Sequence, residues 1–139
     1  MESSTELRDL VLRFYQALAA SDRSFLEQII SHQPGVLNIG TDPREWWSGY
    51  DTFLHVAVAQ FQEMGSSSRI VGADPQAYHE GSVGWVADRP SFELPDGTRL
   101  PFRMTGVFHQ EDGVWKLVQS HYSIGVANED AVGRELTTE

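Results

Sequence analysis

The sequence predicts an α+β domain in which helices from the first half rest on an antiparallel sheet supplied by the second. Three observations carry that prediction. Leu7, Leu10, Val11, Phe14 and Leu18 recur at helical spacing, and so do Phe53, Val56, Ala57, Phe61 and Met64. Thr98 to Val126 reads as a long strand, a tight turn and a second long strand. Ser82 to Leu94 is another long strand, joined to the first by Pro95-Asp96-Gly97.

The elements follow in order. Ser3-Ser4-Thr5-Glu6 has the form of a capping box, with Ser3 as the cap and Glu6 three residues on, so the first helix should run to about Ala20. Ser21 or Asp22 caps a short second helix, Ser24 to Ser31, and Pro34-Gly35 ends it. Val36 to Ile39 is a short strand. The stretch from Gly40 to Gly49, GTDPREWWSG, reads as a loop. Two adjacent tryptophans are unusual in a loop; either both serve packing, or Trp46 or Trp47 lines the mouth of a cavity. A third helix spans Tyr50 to Met64. Arg69 to Gly72 and Gln76 to Glu80 are strands, and Pro90 must fall at an edge or bulge of the strand that holds it.

Composition narrows the classes of function. At 139 residues the chain is one domain, assigned to residues 1–126, and residues 127–139 form an acidic tail expected to be mobile. The net charge of −10 and a single lysine disfavour nucleic acid and anionic membranes as partners. Cysteine is absent, which excludes thiolate ligands and disulfides. The five histidines show no metal-ligand spacing, and no phosphate-binding glycine loop occurs. Neither a metal nor a cofactor is therefore expected. No apolar run has the length of a membrane span and Met1 to Ser4 is no signal peptide, so a cytoplasmic location is expected.

Register decides which residues share a face. If Pro95-Asp96-Gly97 and Glu111-Asp112-Gly113 are both three-residue loops, even-numbered residues pair with even across each hairpin. One face then carries Val86, Asp88, Phe102, Met104, Phe108, Ser120 and Tyr122, and meets the helices. A carboxylate on such an apolar wall suits general acid or base work, which makes Asp88 the candidate catalytic residue with Tyr122 beside it. The alternative is that Asp88 pairs with Arg89, Arg103 or a backbone group at a sheet rim. The opposite face carries Trp85, Arg103, His109, Trp115, Leu117, Gln119, His121 and Ser123, with Arg103 opposite His121. Too apolar for open water and too polar for a core, it suits a protein interface. In the opposite arrangement this face lines the cavity and His121, Ser123 and Arg103 become the reacting groups.

The segments LRFYQALAASD, IGTDPREWWSGYD and GVFHQEDGVWKLVQSHYS, in this order of elements, resemble the nuclear transport factor 2-like superfamily and specifically its SnoaL-like and ketosteroid-isomerase-like members. The resemblance covers nearly the whole chain. It implies a cystatin-like cone, a curved antiparallel sheet wrapped on three helices around an internal cavity. It also implies a homodimer formed through the outer face of the sheet. Ketosteroid isomerases use a tyrosine on the first helix, a base after the first strand and an acid on a late strand. Here Phe14 falls where that tyrosine would be, with Tyr15 one step round the helix. Asp42-Pro43 resembles the segment of the base, and Met104 or Thr105 stands where the acid would be. Steroid isomerisation in that form is not expected.

The expected site therefore consists of Asp88 and Tyr122, or Tyr15 in place of Tyr122 as hydrogen-bond donor. Phe14, Tyr15, Trp46, Val86, Phe102, Met104, Phe108 and Ser120 are expected around it. The first function expected is binding of a small molecule in a mainly apolar pocket. The others are proton-transfer catalysis without a cofactor (isomerase, dehydratase or cyclase) and a non-enzymatic assembly module.

Overall fold

The structure is a computed structural model and describes residues 1–139. Helix α1 (Thr5–Ala20) begins where the Ser4 hydroxyl accepts a hydrogen bond from the Leu7 amide at 3.1 Å. The cap lies one residue later than the expected Ser3, because strand β1 (Glu2–Ser3) is occupied by pairing with β5 (Gln76–Glu80). Helix α2 (Arg23–Ile29) is capped by Asp22, which accepts from the Phe25 amide. Helix α3 (Tyr50–Met64) starts after Gly49 and buries Phe53, Leu54, Ala57 and Phe61. Leu54 takes the place expected for Val56 and Met64, which are only half-buried.

Seven strands form the main sheet in the order β1-β5-β6-β9-β10-β2-β3. The remaining members are β6 (Val83–Asp88), β9 (Arg103–Glu111), β10 (Val114–Ser123), β2 (Leu37–Ile39) and β3 (Trp46–Ser48). The sheet is mixed, because β2 runs parallel to β10 whereas the other pairs are antiparallel. A second sheet has the order β4-β7-β8, from β4 (Arg69–Val71), β7 (Ser91–Glu93) and β8 (Arg99–Pro101). The expected long strand Ser82–Leu94 is thus divided at Arg89-Pro90, and its partner is divided between Pro101 and Arg103. Pro90 has no amide proton to give a ladder, so the pairing breaks there. The Phe102 amide bonds to the Pro90 carbonyl at 3.0 Å and ties the two bends together.

The two hairpin loops differ. Pro95-Asp96-Gly97 is the expected three-residue loop, with Leu94 bonded to Thr98 and Gly97 at φ 87°. The other hairpin has two residues: Glu111 pairs directly with Val114, and Asp112 and Gly113 have φ of 51° and 79°. Positive φ at both central positions is the type I′ turn whose twist matches that of paired strands. The shorter loop shifts the register by one residue, so Leu117 faces Phe108 and points inward. A bulge at Val118 then restores the parity, and Ser120 and Tyr122 pair with Gly106 and Met104 on the inner face.

Trp115 and Leu117 are consequently core residues, 6% and 0% exposed, and not part of the outer face expected for them. Trp85, Arg103, His109, Gln119, His121 and Ser123 do lie outside. Arg103 stands opposite Ser123, with Nε donating to its hydroxyl at 3.2 Å, and His121 stands opposite Thr105. In the C-terminal tail, helix α4 (Asn128–Val132) buries no residue.

Candidate functional site

A cavity of about 410 Å³ opens between α1, α3, the main sheet and the smaller sheet. Phe14 and Leu18 of α1 and Phe53, Ala57 and Phe61 of α3 give it apolar walls. Phe92 of β7 closes one side and is stacked on Phe102, with ring centroids 4.0 Å apart. Trp47 and Tyr122 complete the aromatic lining, and Leu100 and Ile124 are exposed at the rim.

Its polar groups come from β2, the β2–β3 loop, α3 and β10. Asn38 is 6% exposed and its side-chain oxygen accepts from Ser120 at 2.9 Å. Glu45 is placed by its loop: Oε1 accepts from the Asp42 amide at 2.7 Å and Oε2 from Gln60 of α3 at 2.5 Å. The loop closes tightly through Gly40, whose amide bonds to the Glu45 carbonyl at 2.9 Å. A Cβ at Gly40 would lie 2.7 Å from Glu45 Oε1, so this close approach requires glycine. Burial pushes the Tyr122 hydroxyl up to about 12, partly offset by Ser120, so it remains a neutral donor at pH 7.

Several expected site residues fall elsewhere. Asp88 is 6% exposed but does not line this cavity. Its Oδ2 accepts from the Tyr15 hydroxyl at 3.0 Å, and its Oδ1 from the amides of Asp74 at 3.1 Å and Arg89 at 2.8 Å. The acid thus fastens α1 to the bend before Pro90, as the backbone alternative held. Burial, and then the Asp88 charge, push the Tyr15 hydroxyl well above its ordinary range. Val86, Phe102, Met104, Phe108 and Ser120 are buried in the core and stay outside the cavity lining. Trp46 is 64% exposed, and Trp47 lines the cavity instead, because the tryptophans belong to strand β3 and not to a loop. Asp42, in the segment resembling that of an isomerase base, pairs with Arg44. The Arg44 guanidinium and amide hold its carboxyl down to about 2, too low for a base at neutral pH.

Phe14 and Tyr122 of the expected site lie on the cavity wall, and so does Trp47, the alternative to Trp46. Asn38, Glu45 and Gln60 were missed. Asn38 had a signal, as the one polar residue in the apolar run Val36 to Ile39. Glu45 and Gln60 had none, because fifteen positions separate them and only the fold brings them together.

Comparison with known proteins agrees with this architecture. The sequence model of the SnoaL-like domain family matches residues 7–127. No curated protein matches the chain. Among solved structures, an NTF2-like protein from Pseudomonas putida KT2440 superposes with a TM-score of 0.79 at 14% identity, covering 97% of this chain and 94% of that one. An NTF2-like superfamily protein from Salmonella enterica serovar Typhimurium gives 0.77 at 17% identity, over 93% and 95%. A cystatin-like-fold protein from Caulobacter vibrioides gives 0.74 at 15% identity, over 90% and 91%.

Proposed function

The chain belongs to the SnoaL-like domain family, and from that premise we propose that its cavity binds a small, flat, mainly apolar molecule. The observation that supports this is a cavity of about 410 Å³ with aromatic walls and only a few polar groups, the usual constitution of a small-molecule site. Thermal melts with a panel of flat hydrophobic carbonyl compounds test it. A ligand at a hundred times its Kd adds about 2.7 kcal/mol of stability, and Ala57→Phe, which fills the cavity, should abolish the rise in Tm. A panel that leaves Tm unchanged throughout would sink the proposal.

A second reading, proton-transfer catalysis without a cofactor, draws on Glu45 and Tyr122 lining the same space. Glu45 takes the role expected of Asp88, accepting a proton beside a carbonyl, while the neutral Tyr122 hydroxyl donates to the developing oxyanion. Loss of a general base costs about 10²–10⁴-fold in rate, so Glu45→Gln should slow solvent-deuterium exchange into a bound ketone by that factor. Equal exchange in the variant and the parent would remove this reading.

For the partner, the proposal is a second copy seated on the outer sheet face. Tyr78, Trp85, Val107, Gln119 and Leu37 are directly paired across five strands and form one outward row. A half-exposed apolar row with polar neighbours has interface composition. Sedimentation should give a dimer, and Val107→Glu a monomer of unchanged fold; a monomeric parent protein would overturn it. No helix is long and apolar enough to cross a membrane; a cytoplasmic location is part of the proposal.

A further inference from the structure

The charged side chains on the cavity wall are Glu45 and Glu63, and no lysine, arginine or histidine joins them. Glu45 is the inner of the two by exposure, and its carboxylate is held by a backbone amide and by Gln60, both neutral. It forms no ion pair, although its charge adds to that of Asp42 in holding the Arg44 guanidinium. Arg44, the guanidinium of the same loop, is engaged by Asp42 through Nε at 3.0 Å and Nη2 at 3.1 Å. Each Glu45 oxygen accepts one bond in the protein, which leaves a lone pair on each for a ligand.

Two further features specify what the cavity would hold. Trp47, Phe53, Phe61, Phe92 and Tyr122 present aromatic rings to it, and such rings attract a cation through their faces. Asn38, 6% exposed, uses its side-chain oxygen on Ser120, and its amide N–H groups donate to no protein acceptor. That nitrogen is not sealed in the core but reachable from the cavity, so it is free to donate to an acceptor atom of a ligand.

We propose that the cavity selects an amphiphilic organic cation: a flat apolar body bearing an ammonium group for Glu45 and an acceptor atom for the Asn38 amide. This rests on the reading of the cavity as a ligand site and adds the class of ligand. Anions such as fatty acids are disfavoured twice, by the Glu45 charge and by the net charge of −10.

Titration calorimetry with three probes of one shape tests the class: naphthylmethylamine, an ammonium at neutral pH, naphthylmethanol and naphthoate. The expected order is the ammonium tightest, by about tenfold over the alcohol, as one charge-assisted contact allows, and naphthoate weakest. The gap should narrow as salt is raised and should close in Glu45→Gln. The comparison within the parent protein needs no variant to fold. An alcohol that binds as tightly as the ammonium, or a naphthoate that binds more tightly than either, overturns the cation class while the cavity reading stands. No binding by any probe overturns both.

Discussion

The Tyr15–Asp88 hydrogen bond gives the acid that the sequence singles out a structural task in the fold. Both residues were legible as inward-facing. What the sequence concealed was the set of three donors that converge on Asp88, two of them backbone amides from the bend and the preceding loop. A hydrogen bond to a charged group contributes about 1.5–3 kcal/mol, so Tyr15→Phe should lower unfolding free energy by that amount in urea denaturation and leave ligand affinity alone. A loss of affinity without loss of stability would return this pair to the site. The tyrosines also carry a pH signature. Tyr122 is held near 12 against a usual value of 10.0, and Tyr15 is raised as well, so the folded state keeps both protonated where the unfolded chain ionises them. Their contribution is fully present below about pH 10 and is lost as pH rises through the folded values. Phenolate absorbance should show these two groups titrating only as the protein unfolds, and Tyr122→Phe should raise the midpoint of alkaline unfolding.

At the scale of elements, the α+β order, the extent of α3 and the inner face of β6 and β9 were legible because each follows from local periodicity. The face of β10 was half legible. Tyr122 and Ser120 were placed correctly and Trp115 and Leu117 were not, since a two-residue turn and a bulge each shift the parity and cancel only beyond Val118. No residue at Val118 announces a bulge, and Glu111-Asp112-Gly113 accommodates either loop length. Strand β3 was read as a loop because its pairing partner, β2, is itself short; its alternation sends Trp46 out and Trp47 in. Deleting Val118 should force β10 to choose between burying Trp115 and Leu117 or burying Ser120 and Tyr122. Losing large core side chains costs about 3–5 kcal/mol each, so the deletion variant should fail to show a cooperative thermal transition. At the turn, Gly113→Val places a branched side chain at φ 79° and should destabilise by more than the roughly 1 kcal/mol that replacing a glycine gains at a compatible site. Chemical denaturation measures both.

For the whole molecule, ten net negative charges on 139 residues repel one another in the compact state. Moderate sodium chloride should therefore raise Tm, and an unchanged Tm would mean that the local pairs, such as Glu93 with Arg69 and Arg99, already neutralise the field. The parallel pairing of β2 with β10 has a different kind of consequence. Asn38 meets Ser120 across 82 positions of chain, so the strand that follows the first two helices has no seat against the rest of the sheet until the last strand is made. Long-range pairings of this sort are formed late because loop closure is unrewarded until they join. The backbone amides that pair β2 with β10 should accordingly be among the last to become protected in refolding, and the cavity wall that Asn38 supplies should be among the last parts of the molecule to exist.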